Sequence, residues 1–284
     1  MIGHPSSRAP GPPAVALREV GRRFASYTAV EGVSLDVPAG RFVSLVGPSG
    51  CGKSTVLNLI AGLIAPTRGT VSIFGEPLNG INRRAAYLFQ QDALLPWKTV
   101  VDNVRLGLDI RGRPPSEARA EAMAWVDRVG LKGFGDRYPY QLSGGMRKRV
   151  AMAQAWIVQP DLLLMDEPFG ALDVHTRLRM EAELLGLWAN MHQTVIFVTH
   201  DLEEAISLSD EVFVLSAGPA SRVVGRYPVT LDRPRHLIDI KLDGRFHELF
   251  ATIWGDLRQE VLKSQANEVL ERHKTRVESH DPHP

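Results

Sequence analysis

Gly47, Pro48, Ser49, Gly50, Cys51, Gly52, Lys53, Ser54 and Thr55, consecutive in the chain, leave it little freedom of architecture. They follow the run Arg41-Phe-Val-Ser-Leu-Val46, which reads as a buried strand. They open the segment from Ser54 to Ala61, apolar at helical spacing and closed by Gly62. A glycine-rich turn between strand and helix lets successive backbone N–H groups converge on an anion, and the helix N-terminus adds partial positive charge. The bare pattern GxxxxGK[ST] arises by chance in roughly one chain of this length in a hundred, and the flanking strand and helix narrow that further. It is read as a phosphate-binding loop for a nucleotide, with Lys53 reaching the β- and γ-phosphates and Ser54 ligating Mg²⁺.

The rest of the chain fits a soluble α/β protein. Its 284 residues suffice for one or two cores at 44% hydrophobic and 23% charged content, and no apolar run approaches the length needed to span a bilayer. A formal net charge of +1 gives no whole-protein attraction to nucleic acid, so none is expected as a partner. The single cysteine, Cys51, rules out an intrachain disulfide and suits a reducing cytosol. It is read as filler in the loop. Its place near a helix N-terminus predicts a lowered pKa, with alkylation blocking nucleotide binding and bound nucleotide protecting it. Residues 1–14, rich in Pro, Gly and Ser, read as a disordered leader with no signal-peptide core.

Hydrophobic periodicity divides the remainder. Short alternating stretches from Val15, with Val33, Leu35 and Val37 on one face before the turn Pro38-Ala-Gly40, predict antiparallel β structure. From about residue 98 to 158 the period becomes helical: Val100, Val104 and Leu108, then Ala122, Trp125, Val126 and Val129, then Val150 to Ile157. Asp161 to Met165 and Thr194 to Val198 are continuous apolar runs, as parallel strands covered on both faces require. Glu211 to Leu215 and Arg222 to Tyr227 predict a last pair of strands around Gly218-Pro219. After Leu231 the chain is helical and charged, with residues 279–284 loose. His273, His280 and His283 lie in a polar tail and are read as surface residues, not metal ligands.

A phosphate-binding loop alone fits a kinase, a GTPase or a motor. Leu142-Ser-Gly-Gly-Met146 decides among them: Ser143 is placed to cap a helix, and Gly144 and Gly145 leave its backbone donors unobstructed, a second anion site. It precedes a strand ending Leu164-Met-Asp-Glu-Pro168. Together these motifs resemble the ATP-binding-cassette ATPases, over nearly the whole chain from Val15 to Tyr227. The resemblance implies a P-loop core with a mainly parallel sheet, an antiparallel β subdomain and an inserted helical subdomain, spanning 15–230, with a helical extension over 231–284.

The resemblance also assigns roles. Asp166, a carboxylate ending a buried strand, is expected to hold the Mg²⁺ of MgATP with Ser54. Glu167 is expected to act as general base toward the attacking water, and His200, after the run Thr194 to Thr199, to contact the γ-phosphate. Gln90 matches the glutamine that senses Mg²⁺ and the water, with Gln91 next in line if the register slips by one. Ala171-Leu-Asp173 resembles a loop that crosses a homodimer interface. Phe24 is expected to stack on adenine, with Tyr27 as the alternative. Met146 and Lys148 stand where glutamine is frequent, a departure that puts no key contact in doubt.

Leu94-Leu-Pro-Trp97 through Asn103, the run Tyr138-Pro-Tyr-Gln-Leu-Ser and Arg233-Pro-Arg235 are similar to the ATPase subunits of nitrate, sulfonate and taurine importers. That similarity implies two membrane-spanning permease subunits, docking near Leu95, Pro96 and Trp97, an extracytoplasmic solute-binding protein acting indirectly, and a peripheral place on the cytoplasmic face of the inner membrane. A soluble non-transport cassette ATPase and an exporter ATPase are the alternatives. The chain has neither the long coiled-coil insertion nor the second cassette usual in soluble types, and no NKxD guanine motif supports a GTPase.

Overall fold

The computed structural model describes residues 11–278, with side chains described through Asn267. The first ten residues of the expected leader, the tail from residue 279 and the side chains of His273, His280 and His283 lie outside the described residues. Ala14, placed in the leader by composition, is instead buried, and its carbonyl accepts a hydrogen bond from the Phe74 N–H. A small apolar residue next to a strand is drawn into the sheet whatever the composition before it.

The antiparallel part forms as the alternation predicts. Strands β1 (Val15–Phe24) and β2 (Tyr27–Val37) pair from Phe24 opposite Tyr27 to Val15 opposite Val37, with Val33, Leu35 and Val37 buried. Strand β3 (Phe42–Val46), buried at all five residues, runs into the phosphate-binding turn and α1 (Lys53–Ile60), which ends at Gly62 with φ +69°. Strands β4 (Arg68–Ile73) and β5 (Glu76–Pro77) complete a four-stranded antiparallel sheet in the order β2-β1-β4-β5.

Strand β6 (Ala85–Leu88) enters the second sheet. The helical insertion follows as α2 (Val100–Val104), α3 (Leu106–Ile110), α4 (Pro115–Arg128) and α5 (Gly144–Trp156). The chain then returns through β7 (Leu162–Asp166), α6 (Val174–Met191), β8 (Thr194–Val198), α7 (Leu202–Leu208), β9 (Glu211–Leu215) and β10 (Val223–Pro228). The six-stranded sheet has the order β10-β9-β3-β8-β7-β6, parallel except for β10. Helix α8 (Gly244–Glu278) closes the described chain.

Three apolar clusters hold these layers together. Val15, Leu17, Leu45 and Leu57 fill the space between the two sheets around α1. Phe42, Trp156, Phe169 and Phe197 join the helical insertion to the other face of the parallel sheet. Phe246, Ile253 and Leu257 of α8 pack on Val212 and Val214 of β9. Truncating a buried aromatic such as Trp156 to alanine costs about 3–5 kcal/mol, so the insertion is welded to the sheet. The carboxyl ends of β3, β6, β7 and β8 therefore open at one rim, where ligands bind in parallel α/β sheets.

Candidate nucleotide site

The loop from Gly47 to Thr55 is shaped by contacts that exclude side chains. Gly52 has φ +95°, and a Cβ there would lie 2.7 Å from Val30 Cγ1. Lys53 is buried. Its Nζ donates to the carbonyls of Gly47 at 2.9 Å and Pro48 at 3.0 Å, and it lies 3.9 Å from Glu167 Oε1. A buried ammonium is tolerated only with such partners, and here it is held inside the loop that must receive an anion.

Asp166 ends β7 opposite this loop. Ser54 Oγ donates to its Oδ1 at 3.0 Å and Tyr87 Oη to its Oδ2 at 3.3 Å. Burial raises the Asp166 carboxyl above its ordinary value, and the two hydroxyl hydrogen bonds only partly offset this. Burial and the adjacent Asp166 push the Tyr87 phenol up as well. A carboxylate short of positive charge beside a serine hydroxyl is the hard oxygen donor set that suits Mg²⁺. Among the described residues no three His, Cys, Asp or Glu side chains gather as a metal cluster, so such an ion would complete its shell with phosphate and water oxygens. Ser54 and Asp166 fit the ion.

Glu167 follows at φ +42°, an uncommon conformation for a residue with a side chain, fixed by its N–H donating to Val198 O at 2.9 Å. This turn aims the carboxylate between Lys53 and His200, whose Nδ1 lies 3.1 Å from Glu167 Oε2. The structure thus gathers Lys53, Ser54, Asp166, Glu167 and His200 at the sheet rim, as the motifs predict.

The residues read from the sequence as a second anion site lie apart from this group. Ser143 caps α5 by accepting from Met146 N at 3.3 Å, and Asp173 caps α6 by accepting from Thr176 N at 3.0 Å. Ser143, Gly144, Gly145, Asp173, Thr176 and Arg179 line an open depression of about 540 Å³. No hydrogen bond or ion pair joins Ser143, Gly144 or Gly145 to the Lys53, Glu167 and His200 group among the described residues.

Gln90 and Gln91 are exposed just beyond β6. Leu88, two residues before Gln90, pairs with Met165, two residues before Glu167. The sequence missed what holds this loop. Lys148 of α5 is buried, lies 2.9 Å from Asp92 Oδ1 and donates to Gln90 O at 3.2 Å, while Arg147 Nε lies 3.2 Å from Asp92 Oδ2. The one available signal was an acid two residues past Gln90 facing two adjacent bases. Lys148, read as a departure without consequence, is a buried tie between the glutamine loop and α5.

The two aromatic candidates lie side by side. Phe24 is 41% exposed with the Arg22 guanidinium 4.5 Å from its ring centroid, and Tyr27 is 46% exposed. The lowered pKa expected for Cys51 is not what the structure gives. Its side chain is fully buried, and burial pushes the thiol up despite the nearby Lys53 ammonium and hydrogen bonds from the backbone. Desolvation of the thiolate outweighs the attraction of that ammonium and of the backbone donors.

Residues 30–170 match the family described as ABC transporter. An uncharacterized ABC transporter ATP-binding protein of Methanocaldococcus jannaschii is 44% identical over 236 residues, covering 83% of this chain and 86% of that one. The taurine import ATP-binding protein TauB of Yersinia pestis is 45% identical over 195 residues, covering 69% and 76%. The bicarbonate transport ATP-binding protein CmpC of Synechococcus elongatus is 41% identical over 243 residues, covering 85% of this chain and 37% of that one. Among solved structures, the cassette MJ0796 in a post-hydrolysis dimer bound to ADP and Pi superposes with a TM-score of 0.68 at 32% identity, over 77% of this chain and all of that one. The chain belongs to the ABC transporter family, as an ATP-binding member that hydrolyses ATP.

Proposed function

We propose that this chain is the ATPase subunit of an importer. It energises uptake of a small solute of the nitrate, sulfonate or taurine kind through two membrane-spanning permease subunits, with an extracytoplasmic solute-binding protein acting indirectly. The similarity to TauB and CmpC supports the import reading. No described helix is long and apolar enough to cross a membrane, and the reading places the subunit peripherally on the cytoplasmic face of the inner membrane. Trp97, 71% exposed beside Leu95 and Pro96, offers an apolar contact for a permease.

In this reading the loop from Gly47 to Thr55 and Lys53 hold the phosphates, and Phe24, whose second ring face is free of Arg22, stacks on adenine, with Tyr27 the alternative. Ser54, Asp166 and Gln90 hold Mg²⁺, which when bound neutralises phosphate charge. Glu167 accepts the proton of the attacking water as its oxygen bonds to the γ-phosphorus and ADP departs. His200 orients Glu167 and meets the γ-phosphate.

One observation carries the proposal. Two helix N-termini built for anions, at Lys53 and at Ser143, stand on one chain without touching. Each is half a site. A head-to-tail homodimer with two-fold symmetry completes both, with Ser143, Gly144 and Gly145 of one copy closing on the γ-phosphate held by the other and Asp173 crossing between them. Phosphate loss then removes the attraction and parts the copies.

Light scattering of purified Glu167→Gln with MgATP tests this. A dimer that appears with MgATP and is abolished by adding Ser143→Arg is the expected result. A protein that binds ATP and stays monomeric overturns the composite site.

A further inference from the structure

The turn 216–222 between β9 and β10 forms one wall of the phosphate loop. Leu215 O and Cβ lie 3.0 and 3.2 Å from where a Cβ on Gly47 would stand. A Cβ on Gly218 would meet Tyr27 Oη at 3.3 Å, Gly50 O at 3.4 Å and the Cys51 Cα at 3.8 Å. The same turn is stitched to β2: Ala220 N donates to Thr28 O at 2.7 Å, Ser221 N to Ala29 O at 3.2 Å, and Glu31 N to Ser221 O at 2.9 Å. Inside the turn, Ser221 Oγ donates to Ser216 O at 2.9 Å and Arg222 N to Ser216 Oγ at 3.1 Å. The turn is thus cross-linked within itself and to its neighbours.

Its outer side is held by α8. Glu260, buried and three residues beyond the core residue Leu257, accepts from Ala217 N at 2.8 Å, and its other oxygen lies 2.6 Å from Lys263 Nζ. Asn267 Nδ2 donates to Gly218 O at 3.0 Å. Neither residue belongs to the motifs that carry the chemistry. We propose that Glu260 and Asn267 are positioning residues for nucleotide binding: from the C-terminal extension they hold the turn 216–222 against Gly50 and Cys51 and so preset the loop for phosphate.

The inference rests on the assignment of that loop as the nucleotide site. The full chain carrying Glu260→Ala, Glu260→Ala with Asn267→Ala, Glu260→Gln or Lys53→Ala is titrated with the non-hydrolysable analogue AMP-PNP and Mg²⁺ in a calorimeter and assayed for steady-state ATPase. Glu260→Ala leaves the Ala217 N–H without its charged acceptor, so Kd and KM rise about tenfold while kcat at saturating ATP stays within about twofold. Glu260→Gln, which keeps an acceptor oxygen, stays within about twofold of the parent. Unchanged Kd in both Glu260→Ala variants, with Lys53→Ala abolishing binding, overturns the bracing and leaves the nucleotide site standing. So does a fall in kcat with Kd unaltered. A Lys53→Ala chain that binds normally overturns the loop assignment and the bracing with it.

Discussion

Glu167 Oε2 lies 3.1 Å from His200 Nδ1, and the two residues follow the ends of adjacent parallel strands, β7 and β8. The Glu167 N–H is bonded to Val198 O, so the sheet itself fixes the distance between the carboxylate and the ring. The other carboxylate oxygen lies 3.9 Å from Lys53 Nζ. A base held between a cation and an imidazole has little freedom to turn away from a water placed before it.

Glu167→Gln therefore keeps the shape of the site and loses the proton acceptor. Turnover falls by about 10²-fold or more while ATP binding persists. Phosphate release under saturating MgATP measures this, and turnover near the parent's would remove Glu167 from the role of base.

The tie between α5 and the glutamine loop is asymmetric. Asp92→Asn removes the carboxylate that neutralises the buried Lys148 ammonium, whereas Lys148→Met leaves the less buried Asp92 still paired with Arg147. An uncompensated buried charge costs about 3 kcal/mol or more. Urea unfolding is expected to show Asp92→Asn as the more damaging of the two, and the reverse order would mean the tie carries little.

Cys51 is shielded by burial, and its thiol is held above the ordinary value. Since the thiolate is the reactive species, iodoacetamide labels the folded chain at least about tenfold more slowly than the denatured chain at the same pH. Mass spectrometry of timed samples checks this. Equal rates would show that the loop opens freely without nucleotide.

Glu181 of α6 and Glu204 of α7 are buried neighbours, and Thr199, the residue before His200, donates to Glu204. Burial pushes both carboxyls above the ordinary value of 4.5. A raised folded pKa means the native state holds extra protons. The stabilisation is thus complete in acid, below that ordinary value, and is lost as pH rises into the neutral range. Denaturant midpoints taken from acid to mildly alkaline pH are expected to fall more steeply for the parent than for Glu204→Gln. Identical slopes would show that the pair does not titrate across that range.

The elements that were legible had a period and an end. β3, β7 and β8 read as apolar runs because both faces of a parallel strand are covered. The cap residues Ser143 and Asp173 lie within recognisable local patterns, and local hydrogen bonds obey local sequence. Strand β6, four residues of which only Leu88 is fully buried, shows too few alternations to declare itself. The buried face of α6 includes Glu181, a polar residue where the period calls for an apolar one, so its pattern is interrupted.

The phosphate-binding turn, the strand-to-helix frame around it and the residue types at the rim are legible in the chain's local order, because these depend on neighbours within a few positions. Tertiary structure alone decided that Cys51 is sealed from solvent, that Lys148 meets Asp92, that Glu181 meets Glu204 and that Glu260 reaches Ala217. Each of the last three joins segments far apart along the chain. The partner of a buried charge is set by which elements the apolar core packs side by side, and no local pattern records that choice.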